Sequence, residues 1–274
     1  MSGRLFVVGI GPGNKGCLTF DALKALDEAE LIVGYEVYIN TIKKLYEDIE
    51  FKDIAAADVK ESMDTGNDAD RKLFYSTGMG GETDRCRYAL SEAYKGKKVA
   101  LVCSGDSGIY GMAGLIYRLD AKEFANAAEN KDRVDITIIP GVTAALSGAA
   151  MLGSPIGNDF AVISLSTALT PWEDIALRLQ KASEGDFAIV IYNPMSRTRP
   201  YTLRDACDII SEYTGADRIA GYVRNIGRDA EEHAITTVGE LRDTELDMFA
   251  TVFIGNSDTV NINGKMITGR KYRI

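Results

Sequence analysis

One stretch, KVALVCSGDSGIYGMAGL from Lys98 to Leu115, constrains the fold more than any other. Val99 to Cys103 is a short, wholly apolar run. Such a run suits a strand buried on both faces, as in a parallel sheet covered by helices. It breaks at Ser104-Gly105-Asp106-Ser107-Gly108. Loops at the carboxyl ends of parallel strands splay apart and leave a crevice for ligands. Gly105 and Gly108 let backbone approach a bound molecule without a side chain in between. Asp106 adds a carboxylate at the mouth. The same residues also suit a plain strand–helix turn in which Asp106 is the N-cap.

The rest of the chain alternates in the same way. Arg4–Ile10, Leu31–Gly34, Val134–Ile139, Asn158–Ser166, Phe187–Tyr192, Ile219–Arg224 and Phe249–Ile254 read as strands. Between them, Phe20–Glu30, Tyr35–Tyr46, Glu82–Tyr94, Ala144–Leu152, Pro171–Ala182 and Leu203–Tyr213 read as helices, with Thr19 and Thr170 as caps. Alternating strands and helices predict two successive α/β domains with mostly parallel sheets. The polar stretch Ala121–Arg133 suits a joint, which puts the domains at residues 1–118 and 119–274. Asp53–Leu73 carries six acidic and three basic residues and few large apolar ones, so it reads as a solvated excursion.

Charge and composition exclude several functions. Net charge is −9 with no long basic patch, which disfavours duplex nucleic acid. Four cysteines without a C-x-x-C pair, and a single histidine, His233, disfavour a zinc site, an iron–sulfur cluster or a disulfide framework. His233 sits in a polar run and reads as a solvated surface residue. No apolar run approaches bilayer-spanning length, and Met1–Gly13 leads straight into a strand, so a cytoplasmic location is expected. There is no nucleophile elbow, no H-E-x-x-H and no Walker lysine loop, so neither a hydrolase nor an NTPase is supported.

Gly11, Gly13 and Gly16 fit G-x-G-x-x-G, and Glu36 follows about 20 residues later, as in a dinucleotide-binding unit. Pro12 removes an N–H from that loop, and the next helix starts late. A nicotinamide-dependent oxidoreductase is therefore one alternative. The remaining strand-end loops, around Gly11-Pro12-Gly13, Ser104-Gly105-Asp106, Thr143-Ala144 and Tyr192-Asn193, are small and neutral. They suit a bulky ligand of little net charge. Arginines cluster instead in SRTRPYTLR, as Arg197, Arg199 and Arg204. A guanidinium fork suits carboxylates, so this cluster fits a polyanionic partner. Near the start of the Glu82–Tyr94 helix, Glu82 and Arg85 suit either a cleft or an exposed face, whereas Arg87 suits an exposed face.

VGIGPG at Val8–Gly13, GYEVYI at Gly34–Ile39, STGM at Ser76–Met79 and SGDSGIYGMAGL at Ser104–Leu115 resemble the tetrapyrrole methylases. So do PGVTAA at Pro140–Ala145, GNDFAVISLS at Gly157–Ser166, LTPWE at Leu169–Glu173 and YNPMSRTRP at Tyr192–Pro200. The run Gly157–Pro200 is most similar to the C17-methyltransferases of cobalamin biosynthesis that act on precorrin-3B or cobalt-factor III; another methyltransferase of the same fold acting on a different tetrapyrrole position, or a non-catalytic tetrapyrrole or nucleotide carrier, is the alternative. The resemblance implies a homodimer, with S-adenosylmethionine in an inter-domain cleft and S-adenosylhomocysteine as product. It implies donor contacts at Gly11, Pro12, Ser104, Gly105, Asp106, Tyr110, Thr143, Ala144 and Asn193. A tetrapyrrole, with or without cobalt, would meet Met79, Arg85, Asn158, Arg197 and Arg199. Ring contraction needs proton movement, for which Asp106 and Glu82 are the candidate catalytic groups. No protein-built metal site is implied. Two positions depart from the family pattern: Ser107 stands where proline is usual, and Asn158 where histidine is usual.

Overall fold

The computed structural model describes residues 3–45, 51–54, 72–124 and 133–270. The chain forms two compact units, Met1–Thr143 and Ala144–Ile274. The first contains β1 (Arg4–Gly9), α1 (Phe20–Glu28), β2 (Leu31–Tyr35), α2 (Glu36–Leu45), β3 (Phe51–Ile54) and β4 (Lys72–Thr77). It continues with α3 (Glu82–Tyr94), β5 (Lys98–Cys103), α4 (Ala113–Glu123) and β6 (Asp135–Ile139). The strands lie in the order β3-β4-β2-β5-β1-β6, every neighbouring pair parallel.

Alternate residues of these strands serve opposite faces. Leu5, Val7, Leu31, Val33, Val99 and Leu101 pack with Ala89 and Leu90 of α3 and Ile116 of α4. Phe6, Val8, Ile32, Ala100 and Val102 pack with Leu26 of α1 and with Ile39 and Ile42 of α2. Both faces are covered, which is why β1 and β5 have unbroken apolar runs. The strand β5 leads into α4 on one face. Its neighbours β1 and β2 lead into α1 and α2 on the other. The helix after β5 thus lies on the opposite face from the helices after its neighbours, the arrangement found where α/β sheets bind ligands at their strand ends.

The boundary between the units falls after Thr143, later than the break after residue 118 expected from the sequence. The reason is β6, which pairs with β1 from Arg4↔Asp135 to Val8↔Ile139 and so belongs to the first sheet. Residues 125–132 of the expected joint lie outside the described residues, as do residues 55–71 of the acidic segment Asp53–Leu73. The two ends of that segment belong to β3 and β4 rather than to a solvated excursion. Lys72 donates from Nζ to the carbonyls of Leu26, Asp27 and Ala29 and so closes the end of α1. Burial holds its pKa below the ordinary lysine value.

The second unit begins with α5 (Ala144–Leu152), β7 (Gly153–Ser154), β8 (Phe160–Ser164), α6 (Trp172–Glu184), β9 (Ala188–Tyr192) and α7 (Thr202–Thr214). Then come β10 (Ile219–Arg224), β11 (Glu232–Thr237), α8 (Val238–Leu241), β12 (Ala250–Ile254), β13 (Thr259–Ile262) and β14 (Lys265–Thr268). Its main sheet has the order β11-β10-β12-β9-β8. Here the mostly parallel expectation holds only for β8 and β9, which α6 joins. The other pairs of that sheet are antiparallel. A short turn joins β10 to β11, and a short connection cannot carry a strand back to run parallel. β13, β14 and β7 form a separate small sheet in the order β13-β14-β7.

The small side chains of α5 let it lie against the main sheet. A Cβ at Gly148 would come 2.9 Å from the Phe253 ring. The helix α6 starts one residue later than expected: Pro171 is itself the N-cap, so Thr170 does not cap it. Thr19 caps α1 as expected, its Oγ1 accepting from the Ala22 N–H at 3.1 Å. His233 is exposed on β11, opposite Val223. No helix among the described residues is long and apolar enough to cross a membrane.

Candidate functional site

Three strands of the first sheet end in step. Gly9 lies opposite Cys103, and Val8 opposite Ile139. The turns after β1, β5 and β6 therefore emerge side by side, joined mainly by backbone. The Ile10 N–H donates to the Cys103 carbonyl at 2.9 Å. Gly11 and Gly105 exchange two bonds, at 3.0 and 2.7 Å. No side chain fits among them. A Cβ on Gly141 would lie 2.1 Å from the Gly105 carbonyl oxygen, and one on Gly9 would lie 2.6 Å from the Gly141 nitrogen.

Asp106 clasps these turns. Its Oδ1 accepts from the N–H groups of Gly108 (2.8 Å) and Ile109 (3.1 Å), and its Oδ2 from the N–H of Gly141 (3.0 Å). It is not the cap of α4, whose N-cap is Met112. A carboxylate with both oxygens bonded to backbone donors fixes the loops that supply them. Ser107 is fully buried and donates from Oγ to the Ile139 carbonyl at 3.2 Å. The hydroxyl at this position thus adds a second tie between the β5 and β6 turns, which proline could not make. Sequence reasoning does not single out Gly9 or Gly141, and it marks Ser107 only as a departure from the family pattern, because each matters through a strand far away in the chain.

Pro12 is buried, Ser104 half-buried and Thr143 buried around this edge. Tyr110 is exposed and holds a left-handed backbone, φ 52°. Burial pushes the Cys103 thiol up to about 11 and the Cys86 thiol up to about 12, so neither supplies a thiolate at neutral pH. The glycine-rich turn does not run directly into a helix. Lys15–Cys17 forms a short 3-10 turn, and α1 starts only at Phe20. A dinucleotide site needs the helix N-terminus beside the glycines, so this geometry disfavours the nicotinamide alternative.

At the carboxyl end of β4, Arg85 of α3 is 3% exposed. Its Nη1 donates to Thr77 Oγ1 at 2.5 Å and to the Gly78 carbonyl at 2.9 Å. Its Nη2 meets Glu82 Oε1 at 3.3 Å. The sequence left Arg85 open between cleft and exposed face; it is neither an exposed face residue nor free. Met79, in the turn beside it, is 62% exposed.

In the second unit, Asn193 follows β9 with φ 52° and donates from its amide to Ser164 Oγ at 3.0 Å. Arg199 is half-buried and donates from Nη1 to the Leu165 carbonyl at 2.7 Å; burial lowers its pKa. Arg197 is exposed and lines a surface cavity of about 450 Å3 with Met195, Tyr201, Arg204 and Leu246. Asn193, Arg197 and Arg199 thus gather at the carboxyl end of β8 and β9. Asn158 does not join them: it is exposed at the opposite end of the same strands, just before β8. Ala144 opens α5, and the next residue's N–H, that of Ala145, donates to the Tyr192 hydroxyl at 2.8 Å. Tyr192 therefore ties down the first turn of a helix through a residue 47 positions earlier, a role without any local signal.

The model of the tetrapyrrole (corrin/porphyrin) methylases matches residues 4–242. A protein of Methanocaldococcus jannaschii named "Probable cobalt-factor III C(17)-methyltransferase" is 42% identical over 98% of this chain and 97% of its own. A protein of Salmonella typhimurium with the same name is 39% identical over 98% of this chain and 100% of its own. Among solved structures, that of the methyltransferase CobJ superposes with a TM-score of 0.80 at 30% identity, covering 98% of this chain and 100% of the other. Parallel strands ending in a glycine-built edge, a match over most of the chain and relatives of nearly equal length lead to one conclusion: this chain belongs to the tetrapyrrole (corrin/porphyrin) methylase family of methyltransferases.

Proposed function

We propose that the protein transfers a methyl group from S-adenosylmethionine to C17 of a corrin precursor, cobalt-factor III or precorrin-3B, with ring contraction, in cobalamin biosynthesis. The observation that carries the donor is the neutral edge formed by Gly9–Pro12, Ser104–Asp106 and Gly141, where backbone meets backbone and the one carboxylate is already bonded on both oxygens. The substrate rests on relatives of that name, matched over nearly their whole length.

The residues fit such a donor. Pro12, Ser104, Gly105, Tyr110 and Thr143 of the first unit would hold it. When bound, S-adenosylmethionine supplies a methyl carried on a sulfonium, whose positive charge vanishes as the methyl moves. A neutral surround therefore does not oppose the step. The task of the chain is alignment: Asp106 and the glycine contacts fix the turns, and fixed geometry can supply on the order of 7–11 kcal/mol. Arg197 would meet carboxylates of the ring substrate. Arg199, tied to Leu165, would hold the loop that presents Arg197. Any cobalt arrives as part of the substrate. A homodimer is the expected assembly, from the family resemblance.

Calorimetric titration tests the donor: S-adenosylhomocysteine should bind and NADH should not. An anaerobic methyl-transfer assay with cobalt-loaded and metal-free substrate tests the acceptor. Binding of NADH in place of S-adenosylhomocysteine, or methylation of neither tetrapyrrole, would overturn the reading.

A further inference from the structure

Arg85 carries a buried charge with too few partners. Its side chain is 4% exposed, yet Glu82 is the one carboxylate within ion-pair distance of it among the described residues. That contact is the loosest the guanidinium makes to a side chain, 3.3 Å, and the Glu82 side chain is 49% exposed. Its Nε is buried and has no hydrogen-bond partner among the described residues. A buried guanidinium normally has its donors satisfied, because an unmade bond costs the full desolvation of the group.

The position of the charge is also informative. Arg85 lies under the turn Thr77–Gly78, beside the Tyr35 ring at the end of β2. That is the carboxyl edge of the first sheet, next to the neutral turns. Nε and Nη2 share one edge of the guanidinium. A carboxylate can bond that edge with both oxygens at once. Glu82 uses half of it.

We propose that Arg85 is a carboxylate receptor that Glu82 holds shut: an acid arm of the substrate displaces Glu82 and bonds both Nε and Nη2. The proposal rests on the tetrapyrrole reading above, and it predicts a sign that a purely structural Glu82–Arg85 pair would not give. Removing Glu82 removes a competitor, so substrate should bind more tightly.

The test is an absorbance titration of wild type, Glu82→Ala, Arg85→Lys and the double variant with cobalt-factor III, alongside calorimetry with S-adenosylhomocysteine. Glu82→Ala should tighten tetrapyrrole binding about threefold, the scale of a half-exposed ion pair. Arg85→Lys, which keeps the charge and loses the two-pronged edge, should weaken it about tenfold or more. The double variant should show no gain over Arg85→Lys. S-adenosylhomocysteine affinity should stay within about twofold throughout, since neither side chain belongs to the donor edge. Unchanged or weaker tetrapyrrole binding by Glu82→Ala, with wild type binding normally, would overturn this proposal alone. Glu82 is at the surface, so that variant remains informative even if Arg85→Lys fails to fold. Failure of wild type to bind cobalt-factor III at all would overturn the substrate reading, and this proposal with it.

Discussion

At the carboxyl edge of the first sheet, backbone touches backbone, and Gly9, Gly105 and Gly141 leave no room for a side chain. At the same end of β8 and β9 in the second unit, the turns are held by long side chains: Arg199 on the Leu165 carbonyl, Asn193 on Ser164, and Arg204 on Asp243 at 3.0 Å. The two edges differ in what sets their shape. The first is defined by what is missing, so adding one carbon is worse than removing a charge. The second is defined by reaching groups, each of which can be lost with its neighbours still in place.

The contrast orders the expected effects of substitution. Gly141→Ala should do most damage: a Cβ placed 2.1 Å from the Gly105 oxygen forces the β6 turn off the β5 turn. Denaturant unfolding should show a loss of about 3 kcal/mol or more, with S-adenosylhomocysteine binding abolished. A loss below about 1 kcal/mol would break the comparison at its strongest point. Asp106→Ala should come next. It strands the N–H groups of Gly108, Ile109 and Gly141, for about 2 kcal/mol and about a tenfold loss of S-adenosylhomocysteine affinity. Asp106→Asn should recover part of both, since an amide oxygen still accepts. If Asp106→Asn instead kept stability and donor binding but stopped turnover, Asp106 would have a proton-transfer role.

In the second unit the effects should be smaller and separable. Arg199→Ala should cost about 1 kcal/mol by thermal melting, through its lost bond to Leu165. Arg197→Ala should stay within about 0.5 kcal/mol of wild type, because the side chain is exposed and makes no ion pair among the described residues. It should nonetheless weaken tetrapyrrole titration while leaving S-adenosylhomocysteine binding intact. Equal stability losses for the two arginines would remove the distinction drawn between a loop tie and a substrate contact.

Much of this was legible in the chain itself, and unevenly so. The runs Arg4–Ile10 and Val99–Cys103 announced buried parallel strands because covering both faces leaves no polar alternation. The loop glycines, the Thr19 cap and the arginine cluster were equally plain, since each follows from local backbone or side-chain chemistry. Other features were not. Asp106 could be read as a cap, as a donor contact or as an acid, and only its bond to Gly141, 35 residues on, makes it a clasp. Asn158 and Asn193 flank strands that read alike, and only the parallel pairing of β8 with β9 shows that they stand at opposite ends.

The sequence by itself determined the α/β class, the covered sheet of the first unit, the neutral strand-end turns and the family. Periodicity, glycine placement and short motifs are properties of neighbouring residues. Only the tertiary structure decided that β6 belongs with the first unit, that the second sheet is largely antiparallel, and that Arg85 is buried with a donor unpartnered among the described residues. Those outcomes depend on pairings and burial between residues far apart in the chain, and no local pattern encodes which distant partner a strand or a charge will meet.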